Sequence, residues 1–234
     1  MKAKIYSLLL ASVVVAGGLL SGCNSNHDRT TASRDFEISV TNLSTNQPFS
    51  PLAVLFHQPA YQLMSVGQAA SQPLEMLAES GDNSALLAAA AADPQVSQTA
   101  SGIAAVSPGA SDTLMLTAVP EGSLRLSVLA MLVNTNDGFI ALDGVDVEKL
   151  AAGDTWVLQA RAYDAGTEGN SEMQAEIPGP AAGGEGFNVA RNDRDFVTVH
   201  PGVISHDDGL TTSILDVSHR FDNPVARIEI RRIR

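Results

Sequence analysis

Two short runs concentrate oxygen ligands: Asn134-Thr135-Asn136-Asp137-Gly138-Phe139 and Tyr163-Asp164-Ala165-Gly166-Thr167-Glu168-Gly169-Asn170. Each follows an apolar, β-prone stretch and gathers carboxylates and amides into a turn. Taken singly, either run is ordinary turn chemistry, because Asn, Asp and Gly favour turns. Strand parity ties them together. If residues 123–133 run up a sheet, Asp137 lies at its top. Phe139 to about Val145 then runs down, 146–154 turns below, and Thr155 to Ala162 returns upward, so Asp164 is again at the top. Two carboxylates brought together repel unless a proton or cation sits between them. Oxygen-only donors suit a hard cation. Calcium accepts six to eight of them at about 2.3–2.6 Å, whereas magnesium favours small, water-rich octahedral sites. The expected metal ligands are Asp137 and Asp164, with Glu168 and carbonyls near Val133 as further candidates.

Other groups carry less. His200-Pro201-Gly202 and His206-Asp207-Asp208-Gly209 bring two histidines near acids, but nothing fixes the convergence a transition metal needs. Both read as flexible surface turns. Arg194 lies between Asp193 and Asp195, a local ion pair worth little. His57 ends an apolar stretch and reads as a hydrogen-bonded core or edge histidine. No Gly-x-Ser-x-Gly elbow, zinc-protease helix motif or phosphate loop occurs. Scattered Ser, His and Asp do not assemble a triad by composition, so no catalytic residue is assigned. Trp156 is the single tryptophan, which gives no stacked aromatic platform for carbohydrate.

The N-terminus carries a different chemistry. Lys2 and Lys4 precede an uncharged, apolar run from Ile5 to Leu20, the pattern of a secretory signal. Leu20-Ser21-Gly22-Cys23 resembles the lipobox of bacterial lipoproteins. That resemblance implies cleavage before Cys23, a diacylglyceryl group on its thiol and an acyl group on its new amine. Cys23 is the only cysteine, so no disulfide is available to the rest of the chain. Each buried acyl methylene contributes about 0.8 kcal/mol, and several chains together make a stable anchor. Asn24 follows, where inner-membrane lipoproteins carry Asp; the expected location is the outer membrane if the source is Gram-negative.

Loss of residues 1–22 removes two lysines and no acid, taking the net charge from −12 to −14. Such a body is soluble and repels nucleic acid. The length after the signal suffices for a sizeable core without staples.

Elements to position these groups are legible along the chain. Asn24 to Ser33 is a short polar tether. Phe36, Ile38 and Val40 alternate with Glu37, Ser39 and Thr41 in a half-buried strand. Leu52 to His57 is a more apolar strand. Between about residues 68 and 92, Ala, Leu, Met and Glu predict two short helices broken at Gly81-Asp82, with Ser71 as cap and Pro73 in the first turn. Strands are expected at Leu114–Ala118, Ser123–Val133, Phe139–Leu142, Thr155–Tyr163, Phe196–His200 and Val225–Ile233. In the last, Arg227, Glu229 and Arg231 alternate with Ile228 and Ile230 as a solvent face. Ile177 to Val189 is Gly-, Pro- and Ala-rich and reads as a long irregular loop. Many strands and one helical insertion predict an antiparallel β-sandwich.

The chain resembles the spondin N-terminal domain. The matching pieces are Phe36-Glu37-Ile38-Ser39-Val40-Thr41-Asn42, Ser50-Pro51-Leu52 through His57, Leu77-Ala78-Glu79-Ser80-Gly81-Asp82, Asn136-Asp137-Gly138-Phe139 and Asp164-Ala165-Gly166-Thr167-Glu168. This implies a C2-like sandwich with calcium at one end, Asp137 and Asp164 being the family's two aspartates, and a role in extracellular adhesion. Gly138-Phe139 stands where animal members have Trp. The family's upstream glutamate ligand has no clear counterpart, Thr117 and Ala118 lying near its place.

The resulting expectation is a signal peptide at 1–22, a lipidated tether at 23–34 and one binding domain at 35–234, not an enzyme. It would be anchored to the membrane through Cys23 and bind an extracellular or periplasmic protein or glycan. An exported hydrolase and a metal-free structural lipoprotein are the alternatives.

Overall fold

The computed structural model describes residues 33–119 and 122–234. The signal peptide, Cys23 and nearly all of the tether lie outside the described residues. Among the described residues nine strands form: β1 (Arg34–Asn42), β2 (Ala53–His57), β3 (Val96–Ser101), β4 (Ser111–Ala118), β5 (Arg125–Met131), β6 (Gly138–Asp146), β7 (Thr155–Asp164), β8 (Thr198–Val199) and β9 (Ala226–Arg232). Two helices, α1 (Gln72–Ser80) and α2 (Ser84–Ala91), stand between β2 and β3. Among the described residues no helix is long and apolar enough to cross a membrane.

Every named pairing is antiparallel. The order is β3-β2-β5-β6-β7-β9-β1-β4, with β8 paired to β7. The chain is mainly β, as expected, but two separate sheets do not form. Strand β7 divides its bonds: Thr155–Ala160 pairs with β9, and Arg161–Asp164 pairs with β6. One long strand thus carries hydrogen bonding from one half of the sheet into the other. The sheet curls towards closure, and its end strands β3 and β4 approach each other.

Strand periodicity explains the interior. Phe36, Ile38 and Val40 of β1 and Ile228 and Ile230 of β9 face Val54, Phe56, Val128 and Ile140 across the core. The other face of β2, β5 and β6 presents Ala53, Leu55, Leu129, Phe139 and Ala141 to the helices, where Leu74, Leu77, Leu86 and Ala90 cover them. Strand β2 is therefore buried at every residue, which is why it reads as a continuous apolar run. Strand β9 keeps its alternation, with Arg227 and Arg231 exposed.

Helix α1 begins and ends as its sequence predicts. The Ser71 hydroxyl accepts the N–H of Leu74 at 3.4 Å, and Pro73 sits in the first turn. Gly81 closes the helix at φ +72° and donates its N–H to Leu77 O at 3.0 Å. A Cβ at Gly81 would also lie 2.7 Å from Cβ of Ser50, so both conformation and space demand glycine.

Two expectations change and one holds. Strand β3 was not anticipated: Val-Ser-Gln-Thr-Ala-Ser is polar and only half-buried, an edge strand held by β2 alone. The expected Phe196–His200 strand shrinks to β8, two residues. The 177–189 segment is irregular, as expected.

Candidate metal centre

Strands β5, β6 and β7 bring the two acidic turns to one end of the sheet. Gly138 is opposite Asp164 in the ladder, and the Ala165 N–H donates to the Asp137 carbonyl at 3.2 Å. Asn134, Thr135, Asn136 and Asp137 are all buried, at 1 % exposure or less. An ordinary surface turn would be wet, so turn propensity alone does not account for this segment. The Thr135 hydroxyl donates to Leu132 O at 2.7 Å and accepts the Gly138 N–H at 2.9 Å, which closes the turn on itself. Asn134 accepts the Ala181 N–H and donates to Asn46 O; Asn136 accepts the Glu172 N–H. These amides pin three other segments around Asp137.

Within this frame, Oδ2 of Asp137 accepts the Thr167 N–H at 2.7 Å, the Glu168 N–H at 3.1 Å and the Thr167 hydroxyl at 3.2 Å. Its Oδ1 is buried with no partner. Asp164 is buried too, but better served. Its Oδ1 accepts the Gly166 N–H at 2.9 Å, its Oδ2 accepts from the Asn170 side chain at 2.7 Å, and Arg194 Nη2 stands 3.7 Å away. Glu168 is 6 % exposed and its Oε2 has no partner.

Burial, and then the neighbouring Asp164 charge, push the Asp137 carboxyl well up from its ordinary range. Burial also raises Asp164. Burial first, then the charges of Glu79, Asp137, Glu176 and Glu185, push Glu168 up to about 8. Such a group must take a proton or a cation.

Glu79 is the residue that sequence reasoning missed. It sits in the last turn of α1 at 1 % exposure; Oε2 accepts the Asn188 N–H at 2.9 Å and Oε1 has no partner. The signal was present in Leu77-Ala78-Glu79-Ser80-Gly81, but nothing local shows that its solvent side becomes buried.

The remaining expectations resolve individually. The Val133 carbonyl is crowded by Gly179, where a Cβ would run into it. Thr117 and Ala118 lie on β4, with Thr117 donating to Asp35 at 2.8 Å and taking no part in this cluster. Arg194 pairs with Asp193 as well as Asp164, while Asp195 pairs with Arg191 instead. His206 is exposed beside Asp207, as a surface turn should be. His200 is not on the surface: it is 3 % exposed, accepts the Gly202 N–H at Nδ1 and packs against Phe221 at 5.1 Å. Burial holds its pKa down at about 4, so it is a neutral core histidine. His57 is buried and contacts Gln58 O at 2.9 Å and Ser127 Oγ at 2.8 Å. Ser127 in turn donates to Asp143 at 2.6 Å. The aspartate contacts the serine and the Gln58 carbonyl contacts the other ring nitrogen, so the order of a hydrolytic triad, in which the acid orients the histidine, is not reproduced.

The donor set suits a hard cation: carboxylate oxygens, several without a partner. Among the described residues, no three acidic, histidine or cysteine side chains converge closely enough to hold a metal ion as they stand.

A protein-family model, Spondin_N, matches residues 29–180. No curated protein matches the chain. Strand β9 lies beyond the matched span, yet it bonds to both β1 and β7, so the fold continues past it. The match takes in α1, both acidic turns and the Asp164-Ala165-Gly166-Thr167-Glu168 run, and on that ground the chain belongs to the spondin N-terminal domain family.

Proposed function

We propose that the protein is a lipid-anchored binding module of the cell envelope, with a calcium ion fixing the loops at one end of its sheet. Family membership supports an extracellular binding or structural module, and the family is not a known enzyme family. The observation that carries the metal reading is the set of buried oxygens without partners at Asp137 and Glu168, beside Asp164. Unpaired buried charge costs several kcal/mol, and a divalent ion removes that cost at once. Asp137, Asp164 and Glu168 would hold it. Bound calcium would supply charge compensation and rigidity, and the stiffened loops would present the surface for a protein or glycan partner.

The lipid on Cys23 would hold this surface near the membrane. Arg34 begins β1, so a tether of the intervening length would reach at most about 35 Å. The acidic body would keep its distance from anionic headgroups.

Thermal unfolding with calcium and with chelator tests the metal reading. At a free ion level of one hundred times Kd the gain should be about 2.7 kcal/mol. An identical transition in both conditions would end the reading. Mass spectrometry of membrane-extracted protein tests the anchor: acylated Cys23 at the N-terminus is expected, and an unmodified cysteine would remove it.

A further inference from the structure

Helix α1 turns two carboxylates inward, one turn apart, and treats them differently. Glu75 is buried and fully compensated: Arg191 Nε and Nη2 donate to its two oxygens at 3.0 and 2.6 Å. Glu79, four residues on, is equally buried. It has one backbone N–H from Asn188 and an oxygen with no hydrogen-bond partner, the nearby Thr167 hydroxyl being given to Asp137. Arg191 is already committed to Glu75, Asp195 and the Ala70 carbonyl. Glu79 also sits in the last turn of its helix, where the carbonyl ends of the peptide dipoles disfavour an anion.

The surroundings of Glu79 are those of the acidic cluster around Asp137. Residues 188–195 run as a strap between α1 and the 166–169 turn. The Asn192 N–H donates to Thr167 O at 3.0 Å, the Asp195 N–H to Gly166 O at 2.7 Å, and Asn192 Oδ1 accepts the Gly169 N–H at 2.8 Å. Gly166, at φ +73°, faces the Phe196 backbone so closely that a Cβ has no room. The strap thus fixes Glu79 beside Thr167 and Glu168. After burial, the charge of Glu79 does the most to raise Glu168, which places the two carboxylates close together. By contrast Asp164, the partner expected from the family resemblance, already faces Arg194.

We propose that Glu79 is a ligand of the divalent cation, completing with Asp137 and Glu168 a site that fastens the helical insertion to the sheet-end turns. This rests on the calcium reading above. Each of these three side chains has a buried carboxylate oxygen that lacks a partner, as does the amide of Asn170 nearby, and the three carboxylates come from separate segments: α1, the β5–β6 turn and the turn after β7. An ion there substitutes for the arginine that Glu75 has and Glu79 lacks. The consequence is mechanical: calcium would hold α1 and the strap down, so the loop surface and the helical layer would order together.

The test uses the full chain in detergent, with calcium titrated calorimetrically into wild type, Glu79→Gln, Asp137→Asn and Glu75→Gln. Glu79→Gln should weaken calcium at least tenfold while unfolding in chelator no earlier than wild type, since a buried unpaired charge is removed. Glu75→Gln should unfold earlier in both conditions and keep its calcium affinity. Wild-type affinity in Glu79→Gln, alongside loss in Asp137→Asn, would overturn this proposal and leave the calcium reading standing. No binding by wild type would end both. Should Glu79→Gln fail to fold, amide exchange on wild type decides. Calcium should slow exchange at Leu77–Gly81 and Asn188, and unchanged exchange there would overturn the proposal.

Discussion

The backbone N–H of Glu168 donates to Oδ2 of Asp137, while the Glu168 carboxylate buries its own Oε2 without a partner. The main chain is therefore held where the side-chain charges repel. That arrangement makes Asp137 both a loop organiser and a charge waiting for compensation, and substitutions separate the two roles. Asp137→Asn keeps an acceptor for the Thr167 and Glu168 amides but removes the charge. It should unfold in chelator at or above the wild-type temperature and lose the calcium gain. Asp137→Ala leaves those amides unpaired and should cost about 1–3 kcal/mol even in chelator. Paired melts of the two variants check the distinction.

Arg191 joins α1 to the strap through Glu75, a carboxylate with 4 % side-chain exposure. Arg191→Met should strand that charge. The guanidinium is 25 % exposed, which tempers the loss to about 2–3 kcal/mol. Combining it with Glu75→Gln should recover much of this, and a double-mutant cycle by urea unfolding measures the coupling.

Glu172 and His200 should give opposite pH dependences. Burial pushes Glu172 up to about 7 from an ordinary 4.5. Its contribution is fully present below pH 4.5 and is lost as pH rises through about 7. Burial holds His200 down at about 4 from 6.5, so its contribution is present above pH 6.5 and is lost as pH falls through about 4. The two slopes oppose each other over most of that interval. Glu172→Gln should raise stability above pH 7 by about 1–3 kcal/mol and expose the acid sensitivity of His200. Urea unfolding at pH 4.5, 6 and 7.5 reads both effects.

Leu77 is fully buried between α1 and the outer face of the sheet. Leu77→Ala should cost about 2–5 kcal/mol, the upper part of the range if the cavity cannot collapse. A chemical denaturation midpoint measures it. If the cation fastens α1, calcium should offset part of that loss.

The local pattern was informative wherever one face of an element decides its residues. Alternation in Phe36–Thr41 and Arg227–Arg231 marks strands with one core face, and both form as expected. Ser71, Pro73 and Gly81 mark the two ends of α1, because capping depends on neighbours along the chain. Parity along three consecutive strands placed Asp137 and Asp164 at one end, because antiparallel neighbours alternate direction.

What the tertiary structure alone decided concerns contacts between distant residues. Strand β3 exists because β2 offers it a ladder, not because Val96–Ser101 favours a strand. The continuous sheet follows from β7 dividing its bonds between β6 and β9, which no periodicity encodes. Glu79 and His200 look like surface residues in their own neighbourhoods. Glu79 is buried because Asn188, more than a hundred residues on, closes over it; His200 is buried against Phe221. The alternation of a strand and the cap of a helix are set by bonds a few residues long, so sequence contains them. Desolvation of a charge is set by whatever part of the chain happens to cover it, and only the folded molecule determines that.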